Sequence, residues 1–378
     1  MNIGFDGKRA ANNLTGLGNY SRSLVLQLSE FFPQNQYFVY SPKVKNTGQI
    51  SSFFKRKNIH LALPEKSSPS ILWRTFGIKK QLKKDNIAIY HGLSNEIPVG
   101  MPSSIQTVVT MHDLIFLRYP QYYKFIDRTI YNFKSKYACK NADHIIAISE
   151  QTKNDIIEFY HIDPSKIEVI YQTCDDSFKQ LIGQDFKDSV RKKYNLPEKY
   201  LLNVGTIEPR KNLLTLVQAL PAIDPEFKLV VVGKKQAYAK KVIAEIENLG
   251  MSERVIFLKD IPFSDLPSIY QLATVFVYPS FYEGFGIPVI EALYGKIPVV
   301  SATGSCLEEA GGPHSLYVNP HDASALANAV NTILRDQDLA AKMKEEGLIY
   351  AQKFNTSILA RQLMDSYSNM ISHGQEKL

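Results

Sequence analysis

At 378 residues, with 44% apolar and 21% charged side chains, the chain is too long for one ordinary core, suits two domains of about 150–200 residues, and is excluded from the disordered and fibrous classes. Cys139, Cys174 and Cys306 form no C-x-x-C pair, which argues against a disulfide framework or a zinc site. With no membrane-length apolar run and no charged leader before the opening strand-like residues, a cytoplasmic protein is expected. The net charge of +7 is uneven, residues 1–150 carrying 20 Lys and Arg against 9 Asp and Glu and the rest 24 against 28, so the basic first half fits nucleic acid, anionic lipid, a phosphorylated substrate, or only a solubilising surface.

Short β-branched and aromatic runs at 3–5, 37–40, 87–90, 107–110 and 145–148 alternate with helix-like stretches, which is the grammar of βαβ units. A second series follows at 201–204, 229–232, 255–258, 275–278 and 298–300. The runs are continuously apolar rather than alternating, as expected of parallel strands covered on both faces. The predicted fold is therefore α/β, with two Rossmann-like domains. A linker around 171–178 and a polar stretch after it put the boundary near residue 190, giving domains 1–190 and 191–355, with a final helix in 356–378 expected to pack back on the first domain.

Ligands of open α/β sheets bind outside the carboxyl ends of the strands, and four loops there carry chemistry. Gly16-Leu17-Gly18-Asn19-Tyr20 opens a helix, where backbone amides and the helix dipole suit an anion; a plain turn explains the same residues. Met111-His112-Asp113 follows the 107–110 run, and His112 there can donate to a hydroxyl or phosphate with Asp113 orienting it, or be structural. Gly205-Thr206-Ile207-Glu208-Pro209-Arg210-Lys211-Asn212 presents a guanidinium fork beside a point charge, the pair expected to clamp a diphosphate. Glu283-Gly284-Phe285-Gly286-Ile287-Pro288 precedes a helix, with Pro288 read as its first residue. Glu283 and Glu291 are suited to accept hydrogen bonds from sugar and ribose hydroxyls. A diphosphate clamp with two hydroxyl acceptors describes a nucleotide sugar.

Glu283 and Glu291 reproduce the E-x7-E signature, and in this order with 16–20, His112-Asp113, 148–150, 175–178, 208–212 and 305–311 the chain resembles the retaining group 1 glycosyltransferases of GT-B fold. That resemblance implies two Rossmann-like domains facing each other across a deep cleft. It implies Arg210 and Lys211 on the donor diphosphate, Glu283 with the amides of Phe285, Gly286 and Ile287 on the transferred sugar, Gly284 in the same donor-binding loop, Glu291 on the ribose, and His112 beside the reacting centre. The resemblance further implies that the loop of Gly16 and Gly18 lets the first domain approach donor phosphate and acceptor, that Gly205 and Thr206 lie on the donor, and that Ile261 is similar to the position whose backbone meets the base. Many relatives carry arginine where this chain has Thr206, so Arg210 is left as the second cation.

The likeness leans towards bacterial polysaccharide mannosyltransferases using GDP-mannose; UDP-glucose and UDP-N-acetylglucosamine transferases, or a nucleotide-sugar epimerase of the same fold, are the alternatives. The acceptor is expected to be a glycan or lipid-linked. No metal or other cofactor is expected, and nucleic acid is not an expected partner. Residues 73–84 and 119–137 mix aromatic and basic side chains as an interfacial surface does, so peripheral contact with an anionic membrane is one reading, and ordinary amphipathic packing or an acceptor-side surface are others. Glu283→Ala or Lys211→Ala is expected to abolish transfer without disturbing the fold, on the view that both lie in exposed loops.

Overall fold

The computed structural model describes residues 1–14, 16–45, 47–64 and 72–375. The chain divides into two compact units, Met1–Gln172 with Thr356–Leu378, and Thr173–Asn355.

The first unit is built on seven parallel strands: β1 (Asn2–Asp6), β2 (Gln36–Tyr40), β3 (Ile59–Ala62), β4 (Ile89–Gly92), β5 (Gln106–Met111), β6 (His144–Ala147) and β7 (Ile167–Val169). Their spatial order is β3-β2-β1-β4-β5-β6-β7, so the order reverses beside β1, where Gly4 aligns with Phe38 on one side and Tyr90 on the other. Both faces are covered. Val108 joins Ile3, Phe5 and Tyr37 in one cluster, while its neighbour Val109 joins Met111, Cys139 and Ile145 in the other, which is why these strands read as unbroken apolar runs. The helix Thr356–Gln375 belongs to this unit, inserting Leu359, Leu363, Met364 and Tyr367 into the first cluster.

The second unit has six parallel strands, β8 (Tyr200–Val204), β9 (Lys228–Val232), β10 (Val255–Leu258), β11 (Val275–Tyr278), β12 (Val299–Ala302) and β13 (Leu316–Val318), in the order β10-β9-β8-β11-β12-β13. Leu201, Leu216, Val231, Val277 and Val330 form its main core. This unit begins at Thr173 rather than near residue 190. The helix Gln184–Tyr194 packs on the helix Leu266–Gln271, Lys193 Nζ and Tyr194 OH each lie 2.7 Å from Asp265 Oδ2, and the Ile182 amide donates to Gln271 at 3.0 Å. The polar composition of 184–194 is that of a surface helix, not of a linker.

Candidate active site

In the second unit the loops after β8 and β11 leave the sheet side by side, because those strands are hydrogen-bonded neighbours. After β8 the chain passes through Gly205 (φ 153°), a short 3-10 turn Pro209–Lys211, and Asn212 in the left-handed region (φ 55°). Asn212 pins three loops: its Nδ2 donates to the carbonyls of Pro279 at 2.9 Å and Pro320 at 2.7 Å, and its Oδ1 accepts from Thr215. The turn aims Arg210 and Lys211 at Glu283. Arg210 Nη1 lies 2.6 Å from Glu283 Oε2 and 2.7 Å from the Tyr282 carbonyl, with Nη2 2.8 Å from Glu208. Lys211 Nζ lies 2.7 Å from Glu283 Oε1 and 2.6 Å from the Tyr278 hydroxyl.

Glu283 is only 8% exposed. Burial works against its ionisation, but Lys211 and then Arg210 outweigh that and hold the carboxyl down at about 2. Lys211 is in turn held above its ordinary value by Glu283 in spite of burial. Glu283 and its two cations therefore stay charged at neutral pH, with Glu208 as a second carboxylate on Arg210.

This corrects the exposed-loop reading: Glu283 and Lys211 are enclosed groups bonded to each other, so removing either perturbs the fold as well as the chemistry. Glu283 engages both cations directly. Two of the three Lys211 ammonium protons are committed to Glu283 and Tyr278, leaving one for an anion.

Behind Glu283 the chain enters the helix Ile287–Tyr294 through Gly284, Phe285 and Gly286. Gly286 takes φ 132°, and a Cβ there would lie 3.0 Å from Leu307 and 3.1 Å from Ala310. Cys306 Sγ sits 3.1 Å from the Glu283 carbonyl and 3.0 Å from that of Phe285, bracing the loop from beneath. Pro288 is the second helical residue rather than the first. Glu291, on the same helix, accepts from the Tyr270 hydroxyl at 2.7 Å. Burial pushes its carboxyl up to about 7, the Tyr270 bond pulling the other way and the Asp175 carboxylate adding to the rise. The rings of Tyr270, Phe276 and Tyr278 follow one another at 5.3 and 5.7 Å, so one aromatic ladder runs from the partner of Glu291 to the partner of Lys211. Thr206 is part of the β8 loop, and Ile261 lies on the loop after the edge strand β10, along the same carboxyl edge of the sheet but two strands from β8.

Gly233 escaped the sequence reading. A Cβ on it would come within 1.8 Å of the Gly205 carbonyl oxygen, so its bareness lets the β8 loop cross the end of β9.

In the first unit His112 follows β5 and is 6% exposed. Its Nε2 lies 2.9 Å from the Leu93 carbonyl and its Nδ1 3.1 Å from Gln172 Nε2, a pattern met by the neutral tautomer protonated on Nε2. Burial, partly opposed by the Leu93 bond, holds the imidazole down at about 4. Asp113 does not orient it: Asp113 Oδ1 accepts from the Ile115 amide at 3.1 Å, a local turn that competes successfully for the carboxylate. Asn95 takes the His112 amide at 2.8 Å, and the Tyr20 ring meets the imidazole edge-on at 4.7 Å.

Tyr20 comes from the helix Gly16–Phe31, whose two glycines differ. A Cβ at Gly18 would lie 1.9 Å from the Asn13 carbonyl oxygen, whereas one at Gly16 meets nothing within 4 Å. Arg22 holds the preceding loop through the carbonyls of Ala10 and Asn13 at 2.8 and 2.6 Å. Beneath, Tyr367, the fully buried His91, Thr110 and Tyr20 form a hydrogen-bonded chain with links of 2.6, 2.8 and 3.1 Å. Among the described residues, no group of three or more His, Cys, Asp or Glu side chains is placed to hold a metal ion, and no helix is long and apolar enough to cross a membrane.

Two parallel α/β units, one with a cationic pair and an acidic pair at the carboxyl edge of its sheet, define a glycosyltransferase of GT-B architecture. The family model for glycosyl transferases group 1 matches residues 186–348, and that for glycosyltransferase family 4 matches residues 15–178. Each stretch thus matches a glycosyltransferase family model, the later one that of group 1, and the chain is a glycosyltransferase. It is 27% identical to O-antigen chain mannosyltransferase B of Escherichia coli over 94% of this chain and 96% of that protein. It is 31% identical to O-antigen chain mannosyltransferase RfbU of Salmonella typhimurium over 60% of each chain. Among solved structures, a Rickettsia africae glycosyltransferase superposes with TM-score 0.76 at 20% identity over 98% of each chain. Anabaena Alr3699/HepE in complex with UDP and glucose gives 0.75 at 16% identity, over 98% of this chain and 100% of that one.

Proposed function

We propose that the enzyme transfers mannose from GDP-mannose, with retention of configuration and without a metal, to a glycan or lipid-linked acceptor in cell-surface polysaccharide synthesis, working in the cytoplasm and peripherally at a membrane. The observation that carries the donor class is the Arg210–Lys211–Glu283 cluster at the carboxyl ends of β8 and β11. It supplies a fixed guanidinium and ammonium as hydrogen-bond donors for a diphosphate and, next to them, the amides of Gly284–Ile287 for a sugar. The likeness to mannosyltransferases of O-antigen synthesis supports the sugar and the acceptor class.

In this reading the bond between the sugar C1 and the diphosphate oxygen breaks, its electron pair leaving with the nucleotide. The acceptor hydroxyl oxygen bonds to C1 on the same face and gives its proton to the departing phosphate. Arg210 and Lys211 stabilise the negative charge as it develops. Glu283 holds both cations in place and presents its remaining lone pairs to the sugar, and Glu291 accepts from the ribose hydroxyls. Gly205, Thr206 and the Ile261 backbone complete the donor site. His112 joins the catalytic set beside the reacting centre as a neutral imidazole positioned by the Leu93 carbonyl and Gln172, and Gly16 and Gly18 supply the backbone approach to phosphate.

Thermal shifts and transfer assays with GDP-mannose, UDP-glucose and UDP-N-acetylglucosamine test the donor: GDP-mannose is expected to raise the melting point most, and a UDP sugar doing so overturns the assignment. Conversion of free donor without an acceptor would identify an epimerase. EDTA is expected to leave the rate unchanged, and a loss reversed by Mg²⁺ refutes metal independence. Product NMR reads the anomeric configuration, with inversion counting against the mechanism.

A further inference from the structure

The first unit exposes large apolar side chains where no element of the same unit covers them. On the helix Phe125–Asn141, Phe125, Ile126 and Phe133 are 72%, 71% and 73% exposed and Ile130 is 47% exposed. At about 100° per residue these four side chains fall on one arc, opposite the face that buries Ser135, Ala138 and Cys139. Lys136 and Lys140 lie on that same arc and are exposed. A surface helix normally turns its apolar stripe to the core and its charges to water; here the core stripe is small and the outward face carries aromatics.

A second segment extends this face. The turn of helix Trp73–Gly77 exposes Phe76 (52%) and runs into the helix Ile78–Lys84, with Lys80, Lys83 and Lys84 exposed. The two segments are tied together by the loop after β4. Glu96 receives Arg74 at 2.6 Å and Lys134 at 2.9 Å, the Val99 amide donates to the Thr75 carbonyl at 2.9 Å, and the Gly100 amide donates to the Tyr137 hydroxyl at 2.9 Å. Arg74 is further fixed by Asp6. The acidic groups facing the patch are thereby accounted for: Glu96 and Asp6 are paired inward, and Asp127 lies off the apolar arc.

We infer that this face, Phe125, Ile126, Ile130 and Phe133 with Phe76 and the surrounding lysines, docks the enzyme on an anionic lipid bilayer. The apolar side chains enter the interfacial layer and the lysines meet lipid phosphates, the charge complementarity that selects a membrane over a neutral protein surface. The inference rests on the peripheral location proposed above and names the surface responsible; it is independent of which sugar is transferred.

The test is sedimentation of the full chain with phosphatidylcholine vesicles with and without 30% phosphatidylglycerol, at low and high salt. The proteins are wild type, Phe125→Ser/Phe133→Ser, and Lys136→Glu/Lys140→Glu. Wild type is expected to bind the anionic vesicles at low salt and release as salt rises, and each double variant to partition about tenfold more weakly with an unchanged melting point and unchanged donor-induced thermal shift. Failure of wild type to bind overturns the peripheral location itself. Binding by wild type that both variants retain overturns this face while leaving the location standing. Equal binding to uncharged vesicles overturns the role of charge. A wild-type dimer in solution that Phe125→Ser/Phe133→Ser dissociates makes the face a self-contact and overturns the proposal.

Discussion

Replacing Glu283 with glutamine keeps the side chain's shape and removes its charge from between Arg210 and Lys211. Holding that carboxyl at about 2, against an ordinary 4.5, contributes about 3 kcal/mol to folding at neutral pH. For a unit of this size that is a fall of roughly 6–12 °C in melting temperature. Because the folded value is depressed, the contribution is fully present above about pH 4.5 and is lost as pH falls through about 2. The gap between wild type and Glu283→Gln should therefore be widest at neutral pH and close on acidification. Circular dichroism melts from pH 7 to pH 3 read it directly. The variant also keeps two enclosed cations with no shared carboxylate, so GDP, whose diphosphate can restore the missing negative charge, should raise its melting point more than it raises that of wild type. A gap under about 2 °C at pH 7, or one that persists unchanged into acid, refutes the argument that Glu283 is the electrostatic keystone of the cluster.

Glu291 behaves in the opposite sense. With its folded value raised to about 7, its stabilising contribution is complete below the unfolded 4.5 and is lost as pH rises through 7, so Glu291→Gln should match wild type at pH 4 and be more stable at pH 8. Donor affinity should rise by about tenfold between pH 6 and 8 as the carboxylate ionises and becomes the stronger acceptor, and calorimetric titration of Glu291→Gln should show no such rise. The two glycines of the first unit separate packing from function: Gly18→Ala, whose Cβ would lie 1.9 Å from the Asn13 carbonyl oxygen, should cost about 2–3 kcal/mol in denaturant melts. Gly16→Ala, with open space around it, should fold at least as stably as wild type, so equal stability losses at both positions would contradict the geometry.

Ten of the thirteen described strands are legible in the sequence because each contains a short, mainly apolar run rich in β-branched or aromatic residues between turns. β3, β7 and β13 are not. The last two are three residues long, and β3 follows the basic run Lys55-Arg56-Lys57 that reads as loop; hydrophobic periodicity needs more residues than these strands contain. In the site, Arg210, Lys211, Glu283 and Glu291 are legible as contiguous loop and helix-start motifs. Tyr278 reads only as a strand residue, although its hydroxyl meets Lys211. Gln172 and Tyr20 meet His112 from 60 and 92 positions away, and no local pattern encodes such contacts. The His112-Asp113 pair shows the reverse failure, since adjacency suggested a partnership that a two-residue turn pre-empts.

The helix Thr356–Gln375 carries a consequence for how the molecule comes into being. Leu359, Leu363, Met364 and Tyr367 fill the core of the first unit, yet they are encoded after the whole of the second. A ribosome therefore releases a finished second unit while the first still lacks one wall and His91 still lacks its Tyr367 partner. A fragment cut at Gln172 inherits that open wall and should be sticky and hard to purify, whereas residues 173–355 form an uninterrupted stretch that can be produced separately.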